Sequence, residues 1–450
     1  MYFRTILDEL DIWKNSTTRK PLILRGARQV GKTSAVRMFA ENYDEYLEFN
    51  LEQKSDRDLF ENDLCAKELL QLLLIARRCT GEGRILIFID EIQQSPQAVQ
   101  VLRYLYEECP QIHIIAAGSL LEIMMHKENI SFPVGRVEYR NMYPLTFKEY
   151  LLATGQRQLL EQIGSETLSA PLHALALKSF HRYVLVGGMP EIVQHYSEHE
   201  DIPSLNPIYN NLLTTYIDDI SKYARTKLSL PILRHCLEMA PFEAGKRIKY
   251  AGFGQSNYSS REIGESLKTL ERAMILQLLP PSTSLKIPIL PDFKKSPKLQ
   301  FLDTGLINYF VGLQQYFFSE EDLQSIHRGL LAEHIVVQEV LALDGNRLKK
   351  NCFWVREKGT SNAEVDLLLQ HNGLLVPVEV KAGSSGRLRS LHSFIDLSKN
   401  KFAVRISSTP FSIDHIATVA GQKYTLMSVP FYQCSELRTL FDKHISATGK

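Results

Sequence analysis

The octapeptide GARQVGKT at residues 26–33 constrains this chain more than any other stretch. It spells GxxxxGK[ST] in full and stands between the apolar run PLILR (21–25) and a segment, Ser34 to Asn42, whose Val36, Met38, Phe39 and Ala40 suit a helix. A strand that breaks on glycine and restarts as a helix aims backbone N–H groups and the positive end of the helix at one spot. That spot suits a phosphate. Gly26, Ala27, Arg28, Gln29, Val30, Gly31, Lys32, Thr33 and Ser34 are therefore the expected ATP-binding residues, with Lys32 reaching the outer phosphates and Thr33 ligating Mg2+.

Such a loop needs an acidic partner at the end of a buried strand, and ILIFIDE (85–91) supplies one. Asp90 is expected to hold Mg2+ through water, and Glu91 to polarise the attacking water as general base. Around these motifs YLEFNL (46–51) alternates as a strand does, Leu59 to Arg78 carries a Leu/Ile face at helical spacing, Pro96 opens a helix, and Ile112 to Ala117 reads as another buried strand. The β-α-β-α order implies a parallel sheet covered on both faces. An extra strand between the two motifs is the insertion expected of ATPases whose catalytic glutamate follows the magnesium aspartate. Ser119, just past Ile112 to Ala117, stands where a strand-tip hydroxyl senses the γ-phosphate, although a serine beside Gly118 equally marks a turn. Arg136 is a candidate finger that neutralises charge developing during phosphoryl transfer, within its own subunit or across an interface; its alternative is an ordinary surface arginine.

Composition narrows the classes. Over 450 residues, 52 Lys plus Arg against 51 Asp plus Glu give a net charge of +1, which excludes a broad basic surface and confines any DNA contact to a local patch. No stretch is long and apolar enough to span a membrane and the first residues mix charges into their apolar run, so a soluble cytoplasmic chain without a signal peptide is expected. Cys65, Cys79, Cys109, Cys236, Cys352 and Cys434 are scattered without CxxC pairs and read as free, mostly core residues.

In the C-terminal third, EVDLLL (364–369) and VPVEVK (376–381) form two strands joined by a turn at His371 to Gly373. Residues two apart share a strand face, so Glu379 and Lys381 point together while Asp366 sits on the neighbouring strand. Asp366 and Glu379 are thus candidate Mg2+ ligands, and Lys381 a group that orients the attacking water. The pattern resembles the D…ExK signature of the PD-(D/E)xK nucleases, and that resemblance adds Glu333, on the amphipathic helix running to Val340, as a further acidic residue beside the metal. The alternative is a hairpin whose charges pair with one another. Lys350, Arg356, Lys358 and Arg389, with Arg347, Lys349 and Arg387, suggest a local phosphate-binding patch or a solvated face.

Taken in order, GARQVGKT, FIDEIQ, AAGSLLE, PVGRVEYRNMYPLTFKEYL, YVLVGGMPEIV, TTYIDDISKYA, LQFLDTGL and EVDLLL…VPVEVKAG resemble a bacterial and archaeal family of AAA-type ATPases that carry a C-terminal domain of unknown function, number 4143. The resemblance runs from about Leu22 to about Tyr432. It implies an α/β chain of three parts: an AAA-type P-loop ATPase with a parallel sheet (1–150), a helical and winged-helix-like middle (151–300), and a restriction-endonuclease-like α/β domain (301–450). From the residues themselves, Gly187, Gly188 and Pro190 read as a structural turn. Asp218 and Asp219, on a helix, read equally as a solvated face or as part of a site. Ser259 or Ser260 caps a helix whose Ile263, Leu267 and Leu270 make one face before a strand at Met274 to Gln277, and Ser282 to Pro297 reads as a wing or loop. Two functions remain open: an ATPase coupled to a metal-dependent nuclease, or an ATP-dependent switch whose C-terminal fold only grips DNA or a protein, with a homo-oligomer compatible with both.

Overall fold

The computed structural model describes residues 2–118, 135–224, 226–314, 330–344, 350–358, 361–382 and 388–445. They group into two compact units: Met1–Pro144 with Asp218–Leu230 and Lys268–Ile275, and Leu145–Ile217 with Pro231–Leu267 and Leu276–Lys450. The middle stretch expected at 151–300 thus contributes to both, and two of its short segments complete the first unit.

The first unit holds a five-stranded sheet, β1 (Leu22–Arg25), β2 (Glu45–Asn50), β3 (Ile85–Asp90), β4 (His113–Ala117) and β5 (Glu138–Asn141), in the order β2-β3-β4-β1-β5 with every pair parallel. β3 and β4 are buried along their whole length, as continuous apolar runs in a doubly covered sheet should be. The extra strand expected between the two motifs in the sequence is β2, at the sheet edge beside β3, and β4 lies between β1 and β3. Leu59 to Arg78 differs from the single helical face expected: one helix closes at Phe60, Asn62 Nδ2 donates to Asp58 O at 2.9 Å, and a second begins at Ala66. Glu68 takes the Cys65 N–H at 3.0 Å and restarts the helix, a local hydrogen bond that a hydrophobic pattern does not reveal.

The second unit is built on a seven-stranded mixed sheet, in the order β13-β14-β12-β11-β10-β9-β7. Its strands are β7 (Pro281–Ser282), β9 (Cys352–Lys358), β10 (Ser361–His371), β11 (Leu374–Val380), β12 (Phe402–Ser407), β13 (Ser412–Ala417) and β14 (Lys423–Pro430), with a separate ribbon of β6 (Leu276–Leu279) and β8 (Lys298–Phe301). After the helix Leu330–Asp344, β9, β10 and β11 run as an antiparallel meander, and the helix Arg389–Ser398 carries the chain over to β12, parallel to β11. The turn Asn372–Gly373, both with positive φ, closes the β10/β11 hairpin where the sequence pattern places it.

The paired glycines are structural. Gly187 has φ 78°, and a Cβ there would stand 2.1 Å from Asp303 Oδ1, while Gly188 donates its N–H to Asp303 Oδ2 at 2.7 Å. In the middle region Ser259 and Glu262 cap each other's backbone N–H (3.3 and 2.9 Å), and Ile263, Leu267 and Leu270 are fully buried ahead of β6. That helix exposes Arg261, Glu262, Glu265 and Lys268, acids and bases in equal number. All six cysteines are free, and four of them are buried. Among the described residues no helix is long and apolar enough to cross a membrane.

Candidate nucleotide site and C-terminal acidic cluster

The first site forms where β1 stops. Gly26 is required there, because a Cβ would stand 2.5 Å from Met142 O, and Gly31 at φ 92° turns the chain into the helix Lys32–Ala40. Lys32 is 7% exposed and its ammonium rests on backbone oxygens of its own loop, Gly26 O at 3.0 Å and Ala27 O at 2.9 Å. Burial pulls its pKa down to about 8, opposed by Glu91 and Asp90. Thr33 Oγ1 donates to Asp90 Oδ2 at 2.6 Å, linking the loop to the end of β3. Burial raises the Asp90 carboxyl above its ordinary value, and the Thr33 hydrogen bond opposes the shift.

Glu91 sits at φ 51°, a left-handed conformation uncommon for a non-glycine residue, and its carboxylate accepts from Gln93 Nε2. Gln93 is itself pinned under Gly118 at the end of β4, where a Cβ would be 2.2 Å from Gln93 Oε1. A hydroxyl and a carboxylate in contact offer the hard oxygen donors that Mg2+ favours, so Thr33 and Asp90 fit that ion. Ser34 is on the exposed side of the helix. Arg136 lies 2.8 Å from Glu107 in an exposed ion pair, and Ser119 falls outside the described residues.

Of the two readings of Asp219, the solvated face does not hold. It is 5% exposed and stands 2.7 Å from Arg28 Nε, with Lys222 Nζ on its other oxygen at 2.9 Å. An arginine inside the phosphate loop is thereby held by the helix Asn206–Tyr223.

The second site forms on β10 and β11. Asp366 stands one position beyond the Leu367–Val378 pair, opposite Glu379, and the β9/β10 register slips between Val365 and Leu368. Such a bulge re-aims the side chain it carries. Asp366 Oδ2 accepts from Val380 N at 2.8 Å. Glu379 Oε1 accepts from Lys381 Nζ at 2.6 Å. The centre of the cluster is a residue that sequence reasoning did not single out. Lys298 Nζ, on β8, lies 2.7 Å from Glu364 Oε1, 2.9 Å from Glu333 Oε2 and 3.4 Å from Asp366 Oδ1.

Glu333 and Glu379 are both pushed up to about 7, by burial first and by Asp366 next, whereas the three carboxylates hold the Lys298 ammonium well above its ordinary value against the opposing effect of burial. Of the four positions named from the sequence, Glu333 and Asp366 share the Lys298 ammonium, and Glu379 gives one oxygen to Lys381 while its other oxygen is buried without a hydrogen-bond partner. A divalent cation does not fit among Glu333, Glu364 and Asp366, where an ammonium stands, and among the described residues no three acidic, histidine or cysteine side chains are disposed to hold a metal. Lys350 is exposed and Arg356 donates to Ser393 at 3.3 Å, while Arg347, Lys349, Arg387 and the side chain of Lys358 lie outside the described residues.

Family models match three stretches of the chain. Residues 18–151 match an AAA domain. The N-terminal third is an AAA-type ATPase domain. Residues 177–316 match a domain of unknown function, DUF8612, and residues 328–423 match another, DUF4143. No curated protein matches the chain. Among solved structures, the Walker-type ATPase paby2304 of Pyrococcus abyssi is 13% identical, with 69% of this chain and 96% of that one covered at a TM-score of 0.44. The RuvB Holliday junction branch migration motor of Thermotoga maritima is 14% identical, covering 65% and 93% at 0.25. The Orc1 protein of Aeropyrum pernix, solved in complex with DNA, is 12% identical, covering 68% and 90% at 0.25. The AAA domain thus contains GARQVGKT and ILIFIDE, and the DUF4143 domain contains Glu333, Glu364, Asp366, Glu379 and Lys381. Lys298 lies outside DUF4143, in the region matched by DUF8612.

Proposed function

We propose that the chain is an ATP-hydrolysing switch whose AAA-type domain drives a nuclease-like C-terminal module that associates with nucleic acid. The observation that carries the first half is the 2.6 Å contact of Thr33 with Asp90, beside Lys32 and Glu91. Bound ATP with Mg2+ would supply the phosphoanhydride and the charge that Thr33 and Asp90 are placed to meet. The backbone of residues 26–33 wraps the phosphates, Lys32 leaves its backbone oxygens for them, and Glu91, oriented by Gln93, takes the proton of the attacking water. Lys32→Ala should abolish ATP turnover. Glu91→Gln should keep ATP binding while turnover falls at least about a hundredfold, and turnover at the native rate in that variant would refute the assignment. Arg136→Ala, assayed against protein concentration, separates a role within one subunit from a role across an interface.

For the C-terminal module the support is the order of its elements, a helix, a three-stranded meander, a helix and a parallel strand, with Glu333, Asp366, Glu379 and Lys381 brought to one place. The proximity of these four residues supports the nuclease-like reading. Association with DNA or RNA should appear as a rise in fluorescence anisotropy that weakens with salt, given the local basic residues Lys350, Arg356 and Arg389. No binding to single-stranded, duplex or branched forms at low salt would remove this half of the proposal.

A further inference from the structure

The nuclease-like cluster contains a cation supplied by the chain. Lys298 is only 4% exposed, on a strand whose backbone is held from two sides: it pairs with Leu279 of β6 and bridges to Arg247, and its neighbour Leu299 exchanges hydrogen bonds with Gly245 and Lys246 at 2.8 and 3.0 Å. The Phe353 ring lies 5.2 Å from the ammonium. An ammonium has three N–H donors, and three carboxylates meet it, Glu364, Glu333 and Asp366. The other acidic member, Glu379, has Lys381, while Arg247 stands 3.7 Å from the second oxygen of Glu364.

A divalent ion at such a site would need several of these oxygens at about 2.0–2.6 Å around one point. The Lys298 ammonium already sits among Glu333, Glu364 and Asp366, and a second cation beside it would meet strong repulsion in a buried setting. The paired backbone of β8 fixes the Cα of Lys298 beside the cluster, within reach of its carboxylates.

We propose that Lys298 is the resident cation of this acidic cluster, so that the native site takes no divalent metal and performs no metal-dependent phosphodiester hydrolysis. The inference rests on the nuclease-like reading of the module only for what the cluster would otherwise do; the occupancy of its cation position is independent of it. It also favours a module that grips its partner over one that cuts it.

The test is Mn2+ binding followed by electron paramagnetic resonance on the full chain, without nucleotide, in native protein, Asp366→Asn, Lys298→Met and the double variant. Native protein and Asp366→Asn should titrate alike, because Mn2+ at the P-loop is common to both. Lys298→Met should gain a Mn2+ site that Asp366→Asn removes. A Mn2+ ion bound by native protein and lost in Asp366→Asn would overturn the proposal. So would a folded Lys298→Met that gains none. If Lys298→Met does not unfold cooperatively, the comparison of native protein with Asp366→Asn decides alone. Failure of the nuclease-like reading shows separately, as absence of nucleic-acid binding by native protein, and leaves the Mn2+ comparison standing.

Discussion

Two buried lysines anchor the two sites, and they are held in opposite ways. Lys32 rests on neutral backbone oxygens, Gly26 O and Ala27 O, and burial lowers its pKa to about 8. Lys298 is surrounded by three carboxylates that raise its pKa well above the ordinary value. The first ammonium is under-compensated, so an arriving phosphate improves its surroundings. The second is already compensated, so an anion gains little from it and its removal strands the acids. Depth of burial does not separate a ligand-seeking lysine from a structural one; the charge of its resting partners does.

The largest effect should come from breaking the committed pair. Lys298→Met leaves three acidic groups without their cation, which costs about 3–5 kcal/mol when one partner of a buried pair is lost. Denaturant unfolding at pH 8 should report that loss, and a cost within about 1 kcal/mol of zero would make the cluster a weakly coupled surface network. Lys32→Ala should do the opposite: stability nearly unchanged by the same measurement, and ATP turnover reduced by at least about a hundredfold in phosphate release. Substantial unfolding of Lys32→Ala would erase the contrast.

Acidity sharpens the comparison at a smaller scale. Burial and the neighbouring Asp366 push Glu333 and Glu379 up to about 7 in the folded chain from an ordinary 4.5, so between those pH values the folded state binds more protons than the unfolded one. Their contribution to stability is therefore full below about 4.5 and lost as pH rises through about 7, a change on the order of 1–3 kcal/mol. Glu333→Gln should flatten the fall in stability between pH 5 and 8. An equal slope in that variant would place the proton uptake elsewhere.

How legible these sites were depends on whether their residues are close in sequence. GARQVGKT and ILIFIDE each concentrate their chemistry in one loop or strand end, and the parallel sheet that joins them follows from alternating strands and helices. The β10/β11 hairpin was legible for the same reason. Lys298 was not, because it comes from a strand that pairs with β6 and enters the cluster only through tertiary packing. A lysine beginning the otherwise buried strand KLQF was the available signal. Asp219 differs again: adjacent acids fit a solvated face and a site equally, whereas Tyr216, Asp219, Ile220 and Tyr223 follow the i, i+3, i+4, i+7 spacing of one helix face, and all four are buried. Helical phase carried the information that residue type concealed.

The smallest effect tests whether Arg28 behaves like Lys32 or like Lys298. Its Asp219 partner makes it a committed cation inside a loop built to receive anions, an intermediate case between the two lysines. Removing a negative charge beside the phosphate position strengthens attraction for nucleotide, and at a part-buried site a single such charge is worth about 1 kcal/mol or less. Asp219→Asn, which keeps the shape and removes the charge, should therefore tighten binding of a fluorescent ATP analogue by about two- to fivefold, while Arg28→Ala weakens it. In the double variant the gain from Asp219→Asn should shrink if it acts by releasing Arg28. Weaker binding in Asp219→Asn would mean that the aspartate positions Arg28 for the phosphates rather than competing with them, and Arg28 would then belong with neither lysine.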